Sequence, residues 1–183
     1  MTNQKKSLII MVSHHRWAIP IIAEIGRTDG SKFVTLIHRL GISRDSLQRT
    51  LLGLIEAGWL MKNPGYGHPL RPEYILTDSG NRLKPICQEL FKLISQASLD
   101  QVAFQKWSLP ILGTIFQGAE RFSEIKNKLP SATSRAVTLA LKELCQAGLV
   151  TRAVIDDFPP TSVYKLQEAG YGLGKLADKI AHK

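Results

Sequence analysis

Two groups of polar side chains in this chain have the chemistry needed to read the edges of DNA bases. An arginine guanidinium can donate two hydrogen bonds to O6 and N7 of guanine, and a glutamine amide can pair with adenine. Each such contact gives about 1–3 kcal/mol of discrimination. Gln48 and Arg49 form the first group, and Arg135 belongs to the second. Arg44 and Ser134 stand just before them, where the free N–H groups of a helix start would bind phosphate.

Amphipathic helices would position both groups. Within residues 121–148, Phe122, Ile125 and Leu129 are spaced three and four residues apart, which is typical of a short helix with one apolar face. A break follows, and Thr133 is a suitable N-cap for a second helix. At about 100° per residue, the outward side chains of this second helix are Arg135, Thr138, Leu139 and Lys142. The pattern predicts a helix-turn-helix, whose second helix enters the major groove of DNA.

A two-stranded ribbon is predicted after the second helix. Residues 149–154 are rich in branched apolar side chains, and residues 163–166 have the composition of a returning strand. Pro159 and Pro160 stand between them, where they would prevent regular strand pairing. A helix-turn-helix followed by such a ribbon is a winged helix.

Five short motifs stand in order through this region. They are KW at 106–107, RFSEI at 121–125, KELCQAGLVTR at 142–152, PP at 159–160 and YKLQEAG at 164–170. Together they resemble the HxlR family of winged-helix transcriptional regulators over residues 106–180. The resemblance implies binding of double-stranded DNA by a bacterial-type regulator, and dimers formed by the outer helices. Family members that sense oxidants carry a cysteine shortly before the first KW; none stands there in this chain, so thiol sensing is not expected.

The first half of the chain repeats the second at an offset of 90 residues. This offset links Trp17 to Trp107 and Gly58 to Gly148, and an offset of 89 links the first helices of the two hairpins. The repeat predicts a mainly α fold with small β wings (α+β), formed by two tandem winged helix-turn-helix domains packed as an intramolecular pseudo-dimer. We expect residues 1–97 to form the first domain, with an N-terminal arm and a linking helix, and residues 98–183 to form the second.

The same rules assign the elements of the first copy. We expect a helix over 17–27, a turn over 28–31, a positioning helix over 32–40 and a second helix capped by Ser43. We expect wing strands at 59–62 and 73–76, and further helices at 81–97 and 173–180, with Pro85 as a kink or near a first turn. The residues predicted to contact DNA are Arg44, Gln48, Arg49, Lys62, Tyr66, His68, Arg71, Ser134, Arg135, Thr138, Lys142 and Arg152.

The two copies are not expected to contact DNA equally. Leu139 occupies the position that Arg49 occupies in the first copy, and Asp156 and Asp157 near the second wing tip would repel phosphate. Residues 1–95 carry a net charge of +6, whereas residues 96–183 carry +3. We therefore predict that the first copy contributes more to binding.

Composition supports a polyanion as the partner. The chain has 183 residues, 44% of them apolar, with a net charge of +9. Cys87 and Cys145 have no metal-ligand spacing, and two cysteines in such a chain are typical of the reducing cytoplasm; we expect both to be inert core thiols. No metal, cofactor or enzyme motif is found in the sequence, and its longest apolar run, residues 8–12, is too short to span a membrane. We therefore expect a cytoplasmic protein that is not an enzyme.

Two other functions remain open from the sequence. The outward leucines Leu52 and Leu139 would also suit a tandem winged-helix module that binds protein in a chromosome or transcription assembly, without reading DNA. A small-molecule effector, whose identity the sequence does not indicate, could bind in a crevice between the copies. Further homodimerisation also stays open.

Overall fold

The predicted helices and strands follow one another in the order that the repeat predicts, and further short elements accompany them. The computed structural model describes residues 7–63, 72–156 and 160–183. The helices are α1 (Leu8–Val12), α2 (Ala18–Thr28), α3 (Phe33–Leu40), α4 (Arg44–Glu56), α5 (Asp78–Gln96), α6 (Asp100–Ala103), α7 (Ser108–Phe116), α8 (Phe122–Lys128), α9 (Ser134–Gln146) and α10 (Glu168–Ala181). The strands are β1 (Ser31–Lys32), β2 (Leu60–Lys62), β3 (Glu73–Leu76), β4 (Val150–Ile155) and β5 (Thr161–Leu166). The predicted mainly α fold with small β wings is confirmed.

The chain divides into two compact units. One is His15–Lys92, and the other is Leu93–Lys183 together with the described residues before His15. The second unit therefore includes α1, which packs against α10 and α7 and buries Ile9 and Val12. The predicted division of the sequence into residues 1–97 and 98–183, and its arrangement as a pseudo-dimer, stay predictions.

The two helix-turn-helix segments bury the same positions. Each residue from 41 to 60 has the same degree of burial as the residue 90 positions later, from 131 to 150. Leu47, Leu51 and Leu54 form the buried stripe of α4, and Val137, Leu141 and Leu144 occupy the equivalent positions of α9. The repeat seen in the sequence is therefore a repeat of packing.

The predicted N-caps of α4 and α9 are confirmed. Ser43 Oγ accepts a hydrogen bond from the backbone N–H of Ser46 at 3.4 Å, and Thr133 Oγ1 accepts one from that of Ala136 at 3.2 Å. Each bond satisfies one of the N–H groups that have no partner inside the helix. The second helix of each helix-turn-helix, α4 or α9, therefore starts at a position fixed by a capping side chain.

The wings are antiparallel sheets of different size. The first has the strand order β1-β3-β2, and the second pairs β4 with β5 from Val150↔Leu166 to Ile155↔Thr161. Strand β1 lies where the sequence predicts the end of a turn, at residue 31, and the start of the positioning helix, at residue 32. These two residues pair instead with Tyr74 and Glu73, because the second edge of β3 has backbone groups that need partners. In the second copy this contact is the single bridge Arg121↔Val163.

Both long helices that follow the wings begin earlier than predicted. Helix α5 begins at Asp78 rather than at residue 81, and α10 begins at Glu168 rather than at residue 173. Pro85 lies inside α5 rather than in its first turn. The predicted link over residues 98–105 also contains α6, which packs against α7 and α9.

Two glycines allow the starts of these helices to pack closely on the wings. A Cβ at Gly80 would lie 2.1 Å from the carbonyl oxygen of Trp59, and a Cβ at Gly170 would lie 2.0 Å from that of Leu149. Because glycine has no Cβ, the first turn of each helix can pack directly on the backbone that enters the wing. This close approach is found in both copies.

Candidate nucleic-acid interface

The outward faces predicted for α4 and α9 are observed. The DNA-contact candidates of α4, which are Arg44, Gln48 and Arg49, are all exposed. Those of α9 are exposed as well: Ser134, Arg135, Thr138 and Lys142. Each set begins in the first turn of its helix, the end that reaches base edges in helix-turn-helix proteins. Their contact with DNA stays a prediction.

The arginine of α4 is partly held by its own helix. Arg49 Nε donates a hydrogen bond to the carbonyl oxygen of Asp45 at 3.3 Å. Contact with a base would use the two terminal nitrogens of the guanidinium, which suit the paired acceptors O6 and N7 of guanine. The geometry is compatible with the predicted contact.

The face of α9 differs because an apolar group lies at its centre. Leu139 is 54% exposed, and Arg135 four residues before it and Lys142 three residues after it share its side of the helix. Thr138 Oγ1 donates a hydrogen bond to the carbonyl oxygen of Ser134 at 2.9 Å. The hydroxyl proton of Thr138 is therefore bonded within α9.

The wings place one candidate cation in each copy within the described residues. Lys62 is exposed at the end of β2, and Arg152 is exposed on β4. Arg152 donates from Nε and Nη2 to Ser162 Oγ on β5, at 3.1 and 2.8 Å, and this holds the guanidinium over the strand pair. Asp156 is exposed just after β4. The candidates Tyr66, His68 and Arg71, and also Asp157, lie outside the described residues.

An ion-pair network that the sequence reasoning missed ties the positioning helix α3 to α2. Arg39 on α3 and Arg27 on α2 both donate to the carboxylate of Glu24, whose side chain is only 9% exposed. Burial opposes ionisation of Glu24, but the hydrogen bonds and charges of the two arginines outweigh it, and they hold the pKa of this carboxyl below its ordinary value. One signal was visible: Glu24 is the only acidic residue of α2, and Arg27 stands three residues later.

The second copy makes the equivalent contact without a carboxylate. Thr114, Gln117 and Lys128 occupy the positions of Glu24, Arg27 and Arg39. Lys128 Nζ on α8 donates to Oε1 of Gln117, the C-cap residue of α7, at 3.0 Å. In both copies, a cation in the last turn of the positioning helix therefore bonds to a side chain near the end of the preceding helix. This bond helps to hold the positioning helix in place, and with it the helix that follows, α4 or α9.

A cavity of about 260 Å³ lies in the unit that contains the second copy. Its walls come from α1, α7, α8 and α10, and they include Ile9, Pro110, Gly113, Leu129 and Ala177. Three of the polar side chains that line it bond to one another, since Gln117 accepts from Lys128 and donates to Asp178 Oδ1 at 2.6 Å. The interior is mainly apolar.

The cysteines are not equivalent in burial. Cys87 is fully buried, as predicted, but Cys145 is only half-buried, because it lies at the edge of the apolar stripe of α9. Burial raises the pKa of the Cys145 thiol, although the charge of Arg152 acts in the opposite direction. The protonated thiol, which is the less reactive form, is therefore favoured.

Two negative findings apply to the described ranges 7–63, 72–156 and 160–183. No group of three or more histidine, cysteine, aspartate or glutamate side chains is placed to hold a metal ion there. No helix in that part of the chain combines the length and apolar character that crossing a membrane requires.

Comparison with known proteins finds the same repeat. The family described as HxlR-like helix-turn-helix matches the chain twice, over residues 12–101 and 102–182. An uncharacterized HTH-type transcriptional regulator of Methanothermobacter thermautotrophicus is 37% identical over 75 residues, which are 41% of this chain and 57% of that protein. The HTH-type transcriptional regulator YtcD of Bacillus subtilis is 31% identical over 90 residues, which are 49% of this chain and 71% of YtcD.

A solved structure is also similar. Diamide-treated YodB from B. subtilis is 28% identical, with a TM-score of 0.41, over 49% of this chain and 85% of that chain. The chain spans only 57% of the length of the Methanothermobacter relative. Each of the two sequence alignments covers less than half of this chain.

Proposed function

Because the chain belongs to the HxlR-like helix-turn-helix family, we propose that it is a transcriptional regulator that binds double-stranded DNA in a sequence-specific manner through two winged helix-turn-helix modules. The observation that carries this proposal is the matched burial of residues 41–60 and 131–150, which exposes one outward helix face with basic side chains in each copy. The proposed regulator acts in the cytoplasm and is not an enzyme.

Some of the candidate side chains are suited to contact phosphates, and others are suited to contact bases. Arg44 at the start of α4 and the wing residues Lys62 and Arg152 would hold the phosphate backbone, which positions the protein but carries no sequence information. Gln48 and Arg49 would contact bases from the outward face of α4. The net charge of +9 supports such binding, because each neutralised phosphate releases counterions.

Two modules in one chain also suggest the stoichiometry. We propose that one chain supplies both modules that a regulator of this family otherwise obtains by dimerisation. The expected complex therefore contains one 20.3-kDa chain per duplex. Sedimentation of the protein with a labelled duplex measures this ratio, and two chains per duplex would contradict it.

Duplex binding at increasing salt tests the function. The test uses fluorescence anisotropy with a duplex that the protein selects from random sequences. We expect the logarithm of the affinity to fall steeply and linearly with the logarithm of the salt concentration. Arg49→Ala is expected to weaken binding by about 1–3 kcal/mol, the value of one bidentate base contact. Arg135→Ala is expected to weaken it less, because we expect the first copy to contribute more.

The control removes the same charge elsewhere. Lys175 is exposed on α10, and Lys175→Ala should leave the affinity close to that of the unchanged protein. Equal losses for Arg49→Ala and Arg135→Ala would contradict the asymmetry. Failure to bind any duplex, even at low salt, would reject the proposal and favour the alternative, a tandem winged-helix module that binds protein.

A further inference from the structure

The exposed surface of α9 combines positive charge with an apolar centre. Leu139 is the sixth residue of α9 and is 54% exposed. Arg135 and Lys142 lie on its side of the helix, one turn before it and one turn after it. A partner for this surface must therefore be an anion that presents an apolar group at its centre.

Thr138 adds a second apolar group beside Leu139. Because its hydroxyl donates to the carbonyl oxygen of Ser134 at 2.9 Å, that proton is not offered to a partner. The group of Thr138 that a serine lacks is its methyl, and Thr138 as a residue is exposed. Neither Leu139 nor Thr138 carries the paired donors that read guanine.

The major groove of DNA presents one apolar group, the C5-methyl of thymine, and aliphatic side chains contact it. Phosphates flank that methyl on both sides of the groove, which complements the two cations of α9. We infer that α9 recognises thymine through contact of the Leu139 and Thr138 side chains with C5-methyl groups. This inference rests on the proposed function and names the bases that the second copy reads.

The equivalent positions of the first copy have the opposite chemistry. Gln48 stands where Thr138 stands, and Arg49 stands where Leu139 stands. These side chains donate hydrogen bonds and are suited to adenine and guanine. The two modules therefore read different half-sites, and the preferred operator is not an inverted repeat of one sequence.

The binding site must first be selected from random duplexes with the full chain. In the selected duplex, each thymine is then replaced singly by uracil, a change that removes only the C5-methyl group. At one or two thymines of a single half-site, we expect about a fourfold loss of affinity per methyl. This factor corresponds to the roughly 0.8 kcal/mol gained by burying one methylene-sized group.

Two variants connect those thymines with α9. In Leu139→Ala the uracil effect should become clearly smaller, because the larger of the two contacting side chains is gone. Thr138→Ser removes the methyl but keeps the hydroxyl, and it should reduce the uracil effect in part. Leu52→Ala is the matched control: Leu52 is an equally exposed leucine on α4, 51% exposed, and its removal should leave the uracil effect unchanged.

The possible outcomes separate this inference from the function on which it rests. Duplex binding without any uracil effect, an undiminished uracil effect in Leu139→Ala, or selection of a palindromic site would each overturn the inference while the proposed function stands. Absence of duplex binding would overturn the proposed function itself. In that case, a loss of binding to a protein partner in Leu139→Ala would assign the leucine to a protein interface.

Discussion

The start of α10 allows a sharp test of the fold, because one of its glycines packs tightly against neighbouring backbone and another faces open space. A Cβ at Gly170 would lie 2.0 Å from the carbonyl oxygen and 2.9 Å from the carbonyl carbon of Leu149. That carbonyl accepts a hydrogen bond from the N–H of Gln167 at 2.9 Å, so it is held in place. Gly172 lies two residues later in the same helix, and apart from its chain neighbours and the backbone of its own helix turns, no described heavy atom lies within 4 Å of a Cβ built there.

The expected magnitudes follow from these distances. Alanine is favoured over glycine inside a helix by about 0.5–1 kcal/mol, so Gly172→Ala should increase the free energy of unfolding by about that amount. Gly170→Ala gains the same propensity term, but its Cβ forces a rigid backbone apart, and overpacking of this kind costs about 1–3 kcal/mol. The two variants should therefore differ by about 1–3 kcal/mol, with Gly170→Ala less stable.

Urea denaturation followed by circular dichroism measures this difference through the shift of the transition midpoint at unchanged slope. The repeat provides an independent check, because Gly80→Ala places a Cβ 2.1 Å from the carbonyl oxygen of Trp59 and should behave like Gly170→Ala. If Gly170→Ala were as stable as Gly172→Ala, the close packing of α10 on the backbone that enters β4 would be refuted.

The remaining predictions concern stability. The folded-state pKa of Glu24 is lowered, so its ion pairs stabilise the fold at neutral pH, and this stabilisation is lost as the pH falls below about 4.5 and through the folded pKa. Glu24→Gln should therefore cost about 1–3 kcal/mol at pH 7 and progressively less in acid; a cost that does not change with pH would contradict this. Ser43→Ala and Thr133→Ala should each cost about 1 kcal/mol through loss of the N-cap. Ser43→Gly and Thr133→Gly are the controls, expected to lose less than alanine does, and thermal unfolding checks all four variants.

The recognition helices could be predicted because their signals are local. Apolar residues at helical spacing and a capping side chain at each start are both properties of consecutive residues. Ser43 and Thr133 cap the helices as predicted. The offset of 90 residues then transfers the predicted helices and strands of the second copy, whose motifs are stronger, to the first copy.

Other features depended on residues that meet only in three dimensions. The five residues of α1 are predicted only as an apolar run within an N-terminal arm, and their sequence does not say that they pack on α7 and α10. The pair between Glu24 and Arg39 joins residues fifteen positions apart on different helices. Strand β1 consists of two residues, and it exists because β3 has an edge to pair. Such elements carry no periodic pattern of their own.

In the two copies, packing constrains the buried positions of α4 and α9, whereas the exposed positions can differ in the bases that they recognise. The core positions of α4 and α9 are buried at every equivalent position, and a large-to-small change there would cost packing energy. The exposed positions carry no such constraint, and there Gln48 and Arg49 correspond to Thr138 and Leu139. A homodimer must present the same recognition helix twice and therefore favours a palindromic site. A single chain with two copies has no such requirement, so the divergence of these exposed pairs can give each half of the operator its own sequence.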